Sequence, residues 1–486
     1  MDEINEVRRI RREKLAKLAE QGINPYPHRY EPNAQAGQLL EQYSAIDVGE
    51  HVEGKLFRLA GRMMSKRGHG KTSFGHLADR SGQIQFYARK DVLGEEVFSQ
   101  YLDLDVGDII GVEGELFRTN KGEITIRVAS FTLLSKSLRP LPEKWHGLTN
   151  LETRYRQRYA DLIVNADVRE VFRKRVATIK EMRRFLDERG FMEVETPILQ
   201  SIAGGAAARP FITHHNALSM DLYLRVSPEL YLKRLIVGGF ERVYEINRNF
   251  RNEGMDLNHN PEFTLLEIYQ AYTNYEGVME LCEDLIRAVA FKVCGCLSFE
   301  TDKGKIELEP AFTRLSIDEA IKKYTGKSWD DPSLQERVQE KIDGQISKDK
   351  LKMLVFEELV EDKLIQPTFI TDYPSSLCPL SKAKADDPDT AERFELYFDG
   401  QEIANAYSEL NNPILQQEHF ENQIRQATPK DEYTPEVDLD YVRALEYGMP
   451  PTGGLGIGID RLVMLLSGQN SIREVILFPH MRPETR

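Results

Sequence analysis

Cysteine is scarce: Cys282, Cys294, Cys296 and Cys378 are all that a chain of 486 residues carries. That usage excludes a disulfide-stapled scaffold and fits a reducing compartment. The Cys294-Gly-Cys296 pair has no second ligand pair near it in sequence, so buried thiols are a better reading than a metal site. No run of about eighteen apolar residues occurs, so no membrane-spanning helix is indicated. The N-terminus lacks the apolar stretch of a secretory signal. Arg8, Arg9, Arg11 and Arg12 cluster there, but Asp2, Glu3, Glu6 and Glu13 are too many acids for a transit peptide. The expected location is cytoplasmic. Positive charge is also short, with 64 Lys and Arg against 78 Asp and Glu, a net charge of −14. Residues 51–146 hold 15 basic against 12 acidic residues, so the acid excess lies elsewhere and a local nucleic-acid contact is allowed. Internal repeats and low-complexity tracts are absent too.

What is present is a chain long enough for two or three domains, with 41% hydrophobic residues to build their cores. Residues 3–21 predict a helix, because Ile4, Val7, Ile10, Leu15 and Leu18 recur at helical spacing. Packing on its own protein and contact with RNA are both open to it. From about 51 to 135 the period becomes that of strands, at 55–62, 73–78, 83–87, 108–117 and 123–128, separated by Ser81-Gly82, Asp105-Val-Gly107 and Asn120-Lys-Gly122. Five strands in so short a span predict a small barrel of the OB type. A linker follows at Arg139-Pro-Leu-Pro142. Beyond it, helices are expected at 171–190 and 275–293, and from 461. Strands are expected at 222–226, 242–250, 394–398, 402–406 and 454–458, with a polar, helix-rich insertion at 313–390. Helices segregated between blocks of strands favour an α+β fold on an antiparallel sheet. The division is thus an N-terminal helical extension (1–50), a barrel (51–146) and a larger α+β domain (147–486).

Two segments mislead. Ser65-Lys-Arg-Gly-His-Gly-Lys-Thr72 has Ser where a phosphate-binding loop needs its first Gly, and no strand-to-helix step surrounds it. Met64-Ser65-Lys66-Arg67 faintly resembles the signature loop of class I synthetases but sits among barrel strands without a partner motif.

Chemistry concentrates in three segments. Phe250-Arg251-Asn252-Glu253-Gly254, followed by His259-Asn260-Pro261-Glu262-Phe263, places an Arg suited to a phosphate and an aromatic suited to a flat base on a hairpin. Gly190-Phe-Met-Glu-Val-Glu-Thr-Pro197 is a helix stop, a strand and a Pro fit only for a strand edge or end. Gly454-Leu-Gly-Ile-Gly458-Ile-Asp460-Arg461 carries glycines at alternate positions, which bares one strand face to a ligand.

In order and behind a barrel, these segments resemble motifs 1, 2 and 3 of the class II aminoacyl-tRNA synthetases. The resemblance runs from about residue 50 to 483 and is closest to the class II lysyl-tRNA synthetases. It is carried further by Gly204-Gly-Ala-Ala-Ala-Arg-Pro210, Pro228-Glu-Leu-Tyr-Leu-Lys-Arg234, residues 242–251 and Pro450-Pro-Thr-Gly-Gly-Leu-Gly456. It implies an ATP site in which Arg251 holds the α-phosphate and the substrate carboxylate, and Phe263 and Arg461 sandwich the adenine. Glu253, His259 and Asn260 contact ATP at its adenine and phosphate ends. Glu395 and Glu402 would bind Mg²⁺ bridging the phosphates, with Glu395 also counted in the ATP site. Carboxylate oxygens, phosphate and water suit magnesium. For lysine, the resemblance implies Glu409 and Tyr269 at the ε-ammonium, Glu229 and the Gly205 carbonyl at the α-amino group, and Asn405 with Arg251 at the carboxylate. Tyr407 lines the stem and Glu267 belongs to the same pocket. Phe74 would stack an anticodon base while Gln85 and Glu123 bond base edges, although Phe74 reads equally as a core aromatic.

The implied partners are tRNA(Lys), ATP, L-lysine and a second copy of the chain, since motif 1 of that family packs across a two-fold interface. No membrane partner is implied. An aspartyl- or asparaginyl-tRNA synthetase shares the barrel and motif order but would need a cation where Glu409 stands. A non-catalytic RNA-binding derivative would have lost Arg251, Glu402 or Arg461. Two departures from the family pattern are Ala404 and Ala406, where Gly is frequent, and Tyr407, where Phe is. The extra methyls are expected to tighten the pocket floor.

Overall fold

The computed structural model describes residues 2–142, 148–205, 208–341, 346–426 and 436–484. The expected boundary at 146/147, and Ala206 and Ala207 of the Gly-Ala run, lie outside them. The chain forms two compact units, Met1–Thr149 and Asn150–Arg486. Among the described residues no helix is long and apolar enough to cross a membrane.

The first unit opens with the helix Asp2–Glu20. It packs on its own barrel: Arg11, 7% exposed, donates to the carbonyls of Val106 (3.1 Å), Ser137 (3.0 Å) and Arg139 (3.0 Å), and Lys14 pairs with Asp105 at 2.7 Å. Strands Phe57–His69, Thr72–Ala78, Gln83–Arg89, Ile109–Arg118 and Ile124–Ser135 close into a barrel. The first strand pairs with the fourth, and the third runs parallel to the fifth. Alternate side chains (Leu59, Leu77, Ile84, Phe86, Val112 and Ile126) fill the interior, as a half-buried strand requires. Two strands run longer than expected. Phe57–His69 carries the misleading Ser65–Lys66–Arg67 stretch into a hairpin with Thr72–Ala78. Its polar residues stay in the ladder because barrel closure pairs their backbones whatever their side chains.

One buried ion pair fastens the end of the barrel. Lys136 donates to Asp108 at 2.8 Å and 3.1 Å, and Asp108, with no exposed surface, also accepts from the Ser137 and Asp105 amides at 2.8 Å each.

The second unit is built on an eight-stranded sheet. Its order is Thr313–Ser316, Thr368–Thr371, Arg393–Phe398, Gln401–Ser408, Thr452–Gly458, Glu262–Ala271, Arg242–Phe250 and Met192–Glu193. The interior pairings are antiparallel, and only the two outermost are parallel. Helices Ala166–Asp187, Tyr275–Cys294 and Ile459–Ser467 contribute Phe185, Leu285, Val289 and Leu462 to one core with sheet residues Leu266, Ile268, Phe394, Leu396, Leu455 and Ile457. The opposite parity of the same strands faces a cleft.

Three expectations need correction. The 313–390 segment is not wholly an insertion, because Thr313–Ser316 and Thr368–Thr371 extend the main sheet. Four-residue strands are too short to show a period. Between them, helices Ile317–Thr325, Pro332–Val338 and Lys348–Leu359 gather around Ile321, Val338 and Phe356. The strand placed at 222–226 is Met220–Leu224, in a small sheet with Leu199–Gln200 and Ile212–His215. Cys296, read as a buried thiol, is exposed, past the left-handed Gly295 that ends its helix; Cys282 and Cys378 are buried.

Replacing Asp108 with Ala strands the buried Lys136 ammonium with Asp105 as its remaining acid. The expected loss is about 3 kcal/mol of barrel stability, read as a lower urea midpoint by circular dichroism. An unchanged midpoint would show that the pair does not hold the barrel end.

Candidate active site

The cleft has a volume of about 1020 Å³ and is lined by all of the residues expected at the nucleotide, amino-acid and metal sites. Cross-strand register explains how positions far apart in sequence meet. Glu267 and Asn405 both pair with Gly456, while Tyr269 and Tyr407 both pair with Gly454, and Glu395 pairs with Asn405. The glycine strand therefore runs as a bare floor between two walls of polar side chains.

Three carboxylates stand at one end. Glu229, in the first turn of the helix Glu229–Val237, accepts from the Tyr407 hydroxyl and the Lys233 ammonium, each at 2.6 Å. Glu267 accepts from Ser227 at 2.8 Å and Tyr269 at 3.1 Å, and burial, reinforced by Glu229, pushes its carboxyl up to about 8. Glu409, 1% exposed, pairs with the Lys233 ammonium through Oε2, and among the described residues its Oε1 has no partner. Burial holds the Glu409 carboxyl well above the ordinary carboxylate range, and Lys233 offsets only part of that rise. Gly205 closes this end in the left-handed region (φ +88°), where a Cβ would sit 3.3 Å from the Glu229 Cβ. The Tyr407 hydroxyl thus has a partner in Glu229. The expected tightening by alanine methyls does not hold at Ala406, which turns into the helix-covered core; Ala404 also joins that core while touching the cleft.

At the other end, Arg251 follows the strand Arg242–Phe250 and lies over the Phe263 ring, 5.1 Å from its centroid. Burial pulls its guanidinium down, against Glu402, Glu253 and Glu267, and its Nε has no partner. Arg461, in the first turn of Ile459–Ser467, donates to the Glu402 carbonyl at 2.8 Å and carboxylate at 3.2 Å, and to His259 Nε2 at 3.0 Å. His259 is turned by Asp256, 2.8 Å from its Nδ1. Glu253 stands exposed at the mouth. Asn260 uses its side chain internally, donating to the Glu262 carbonyl at 2.6 Å and accepting from the His480 amide at 3.3 Å.

Glu395 accepts from Tyr373 at 2.8 Å and Tyr397 at 2.5 Å and pairs with Arg393. Burial, then the nearby Glu395, raises Glu402, with Arg461 opposing. Among the described residues no three His, Cys, Asp or Glu side chains cluster as metal ligands. Two mutually repelling carboxylates beside a phosphate-sized space fit a hard divalent ion that takes its remaining oxygens from a nucleotide and water. Sequence reasoning gave no role to Lys233, Ser227, Arg393, Tyr373 or Tyr397. The local signals were the four-residue spacing of Glu229 and Lys233 on a helix and the two-residue spacing of Arg393, Glu395 and Tyr397 on a strand; Ser227 and Tyr373 reach their acids by tertiary contact.

The barrel carries its own polar and aromatic patch. Phe74 is 38% exposed and stacks on Tyr87 (4.3 Å between centroids, 19°), so it is not a core aromatic. Glu123 accepts from Gln85 at 2.6 Å and contacts His76 at 2.8 Å.

Comparison with known proteins matches both units of the chain to described families. Residues 150–482 match the family described as tRNA synthetases class II (D, K and N), and residues 57–134 match the OB-fold nucleic acid binding domain. The chain belongs to the class II tRNA synthetases. It is 54% identical to the lysine–tRNA ligase of Syntrophomonas wolfei over 99% of this chain and 98% of that protein. It is 54% identical to that of Pelotomaculum thermopropionicum (99% and 96%) and 49% identical to that of Bacillus cereus (99% and 98%). In this synthetase the bare Gly454 is what gives Glu409 its place: a Cβ there would lie 1.9 Å from Glu409 Oε1 and 2.7 Å from Tyr269 Cε1. Gly454→Ala is expected to displace that carboxylate and raise the amino-acid KM by about a hundredfold, some 3 kcal/mol, with the ATP KM little changed. Equal changes in both would place Gly454 in the shared scaffold instead.

Proposed function

We propose that this synthetase is a lysine–tRNA ligase that activates L-lysine with ATP and transfers the lysyl group to tRNA(Lys). The observation that carries the choice of amino acid is the Glu409 carboxylate, buried at the cleft with its Oε1 unpartnered among the described residues. An ammonium at the end of a long stem would satisfy that oxygen. A neutral side chain would leave it desolvated and without a donor, so discrimination rests on that charge. Tyr269 stands beside it. Glu229, Glu267 and the Gly205 carbonyl take the α-amino group, Arg251 and Asn405 take the carboxylate, and Tyr407 flanks the stem. An aspartate or asparagine pocket is disfavoured because the place expected of a cation is held by the acid Glu409, and the cation paired with it, Lys233, stands behind the wall and does not line the cleft.

In the first step a lysine carboxylate oxygen attacks the α-phosphorus in line. The new oxygen–phosphorus bond forms as the bond to the bridging oxygen breaks, and pyrophosphate leaves. The 3′-hydroxyl of tRNA then attacks the acyl carbon, and AMP departs. Arg251 holds both reacting groups, Phe263 and Arg461 clamp the base, and His259 and Glu253 orient the nucleotide ends, so rate comes from positioning and electrostatics. Glu395 and Glu402 would hold Mg²⁺, which supplies charge neutralisation to the phosphates. Phe74, Gln85 and Glu123 form an anticodon-reading patch on the barrel unit. The apolar Met192, Ile198, Leu199 and Ile212 are exposed along and after motif 1 and support a homodimer. The composition supports a cytoplasmic enzyme.

ATP–pyrophosphate exchange with each of the twenty amino acids tests the reading. Exchange with lysine alone is expected, with a strongly raised lysine KM in Glu409→Gln; exchange with aspartate or asparagine would reject the pocket. A second expectation follows from Glu267, whose carboxyl lies near 8 in the free enzyme. Below that pH it holds a proton that an arriving α-ammonium displaces. The lysine KM should therefore fall as pH rises from 6.5 to 8, by up to about tenfold per unit, and level off above. Glu267→Gln should flatten this slope, and a flat wild-type profile would contradict the assignment.

A further inference from the structure

Lys233 has no place in the reaction above, yet it is among the most deeply buried charges in the protein. Its side chain has no exposed surface, and it lies on the inner face of the helix Glu229–Val237. Its Nζ donates to Glu229 at 2.6 Å and contacts Glu409, while the Tyr407 ring lies 5.4 Å away. Glu229, Glu409 and Tyr407 line the cleft; Lys233 does not. The other charged and titratable groups facing this cluster are Tyr441 from the helix Leu439–Glu446 and Glu267 and Tyr269 from the strand Glu262–Ala271. The neighbouring Arg234 is turned away onto Asp438 and Asp440.

We propose, building on the lysine-pocket reading, that Lys233 is a positioning residue for the amino acid: a built-in cation behind the pocket wall that favours the charged form of Glu409 and aims Glu229 and Glu409 at the substrate. Without it Glu409 would hold a proton more tightly, because among the described residues no other positive charge contacts it; a protonated Glu409 cannot pair with an ε-ammonium. One buried ammonium shared by two acids leaves a net charge of −1 on the trio, so the pocket keeps an unmet demand for a cation. Glu409 Oε1 is left free for it. Burial alone would lower the ammonium of Lys233, but Glu229 and Glu409 more than reverse this, so it stays charged.

The test compares Lys233→Met with wild type in lysine-dependent ATP–pyrophosphate exchange from pH 6.5 to 8.5. The ratio of the variant's lysine KM to that of wild type should be large at pH 6.5 and fall by about tenfold or more by pH 8.5, as Glu409 regains charge, with the ATP KM unmoved. Both proteins are also run with Glu267→Gln, which removes the slope due to that carboxyl and should leave the trend in the ratio. Tyr441→Phe, which alters packing on Lys233 without its charge, should show no such trend. A KM ratio constant with pH would mean that Lys233 merely fills space, and overturns the proposal. Glu409→Gln run alongside separates the two readings: if it leaves the lysine KM unchanged, the pocket assignment itself is wrong and this inference falls with it. If Lys233→Met does not fold, Lys233→Met/Glu409→Gln removes both charges of that pair, and Glu229 keeps the Tyr407 hydroxyl as its donor. Its preference for lysine over norleucine should equal that of Glu409→Gln alone. A further loss in the double variant would mean that Lys233 acts other than through Glu409, against the proposal.

Discussion

Three carboxylates taken out of water at one end of a sheet impose the central demand on this protein. Each is at most 5% exposed. Removing a carboxylate from water costs several kcal/mol, roughly, unless donors or a cation replace its hydration. The fold replaces it unequally. Glu229 has a hydroxyl and an ammonium, Glu267 has two hydroxyls, and Glu409 shares the same ammonium on one oxygen and, among the described residues, has no partner for the other. The deficit at Glu409 is a local instability. In the proposed lysine pocket, specificity and incomplete solvation are the same feature.

The remainder of the cleft follows from that asymmetry. Negative charge at the pocket end would repel a nucleotide, and the arginines Arg251 and Arg461 stand between it and the phosphate space. Both are held by acids: Arg461 by Glu402 and Arg251 within the field of Glu402, Glu253 and Glu267. The glycine strand lets these groups converge. Its alternate residues carry no side chain on the cleft face, so walls built on neighbouring strands can approach one another and still admit a ligand.

Much of the architecture was legible because period-two patterning is local. The three middle barrel strands and the helix Tyr275–Cys294 emerged close to their observed bounds, and the parity that sends Leu266 and Ile268 to the core sends Glu267 and Tyr269 to the cleft. What escaped were elements whose identity depends on partners. Thr313–Ser316 and Thr368–Thr371 are strands because a sheet edge receives them. The barrel's first strand continues through charged residues because its neighbour does. Cys296 is exposed because the helix stops at Gly295, a turn that spacing alone did not reveal.

The sequence by itself determined the class of chemistry: an arginine and an aromatic on one hairpin, alternate glycines before a helix, and acids at spacings that resemble a known family are properties of residue type and order. Only the tertiary structure decided how those charges are shared. That Lys233 meets both Glu229, four residues away, and Glu409, just past the distant strand Gln401–Ser408, depends on the docking of the helix Glu229–Val237 against the sheet. That Glu409 Oε1 has no partner among the described residues depends on burial by elements from several parts of the chain. Desolvation belongs to the packed ensemble of side chains around a group, and no window of neighbouring residues contains it.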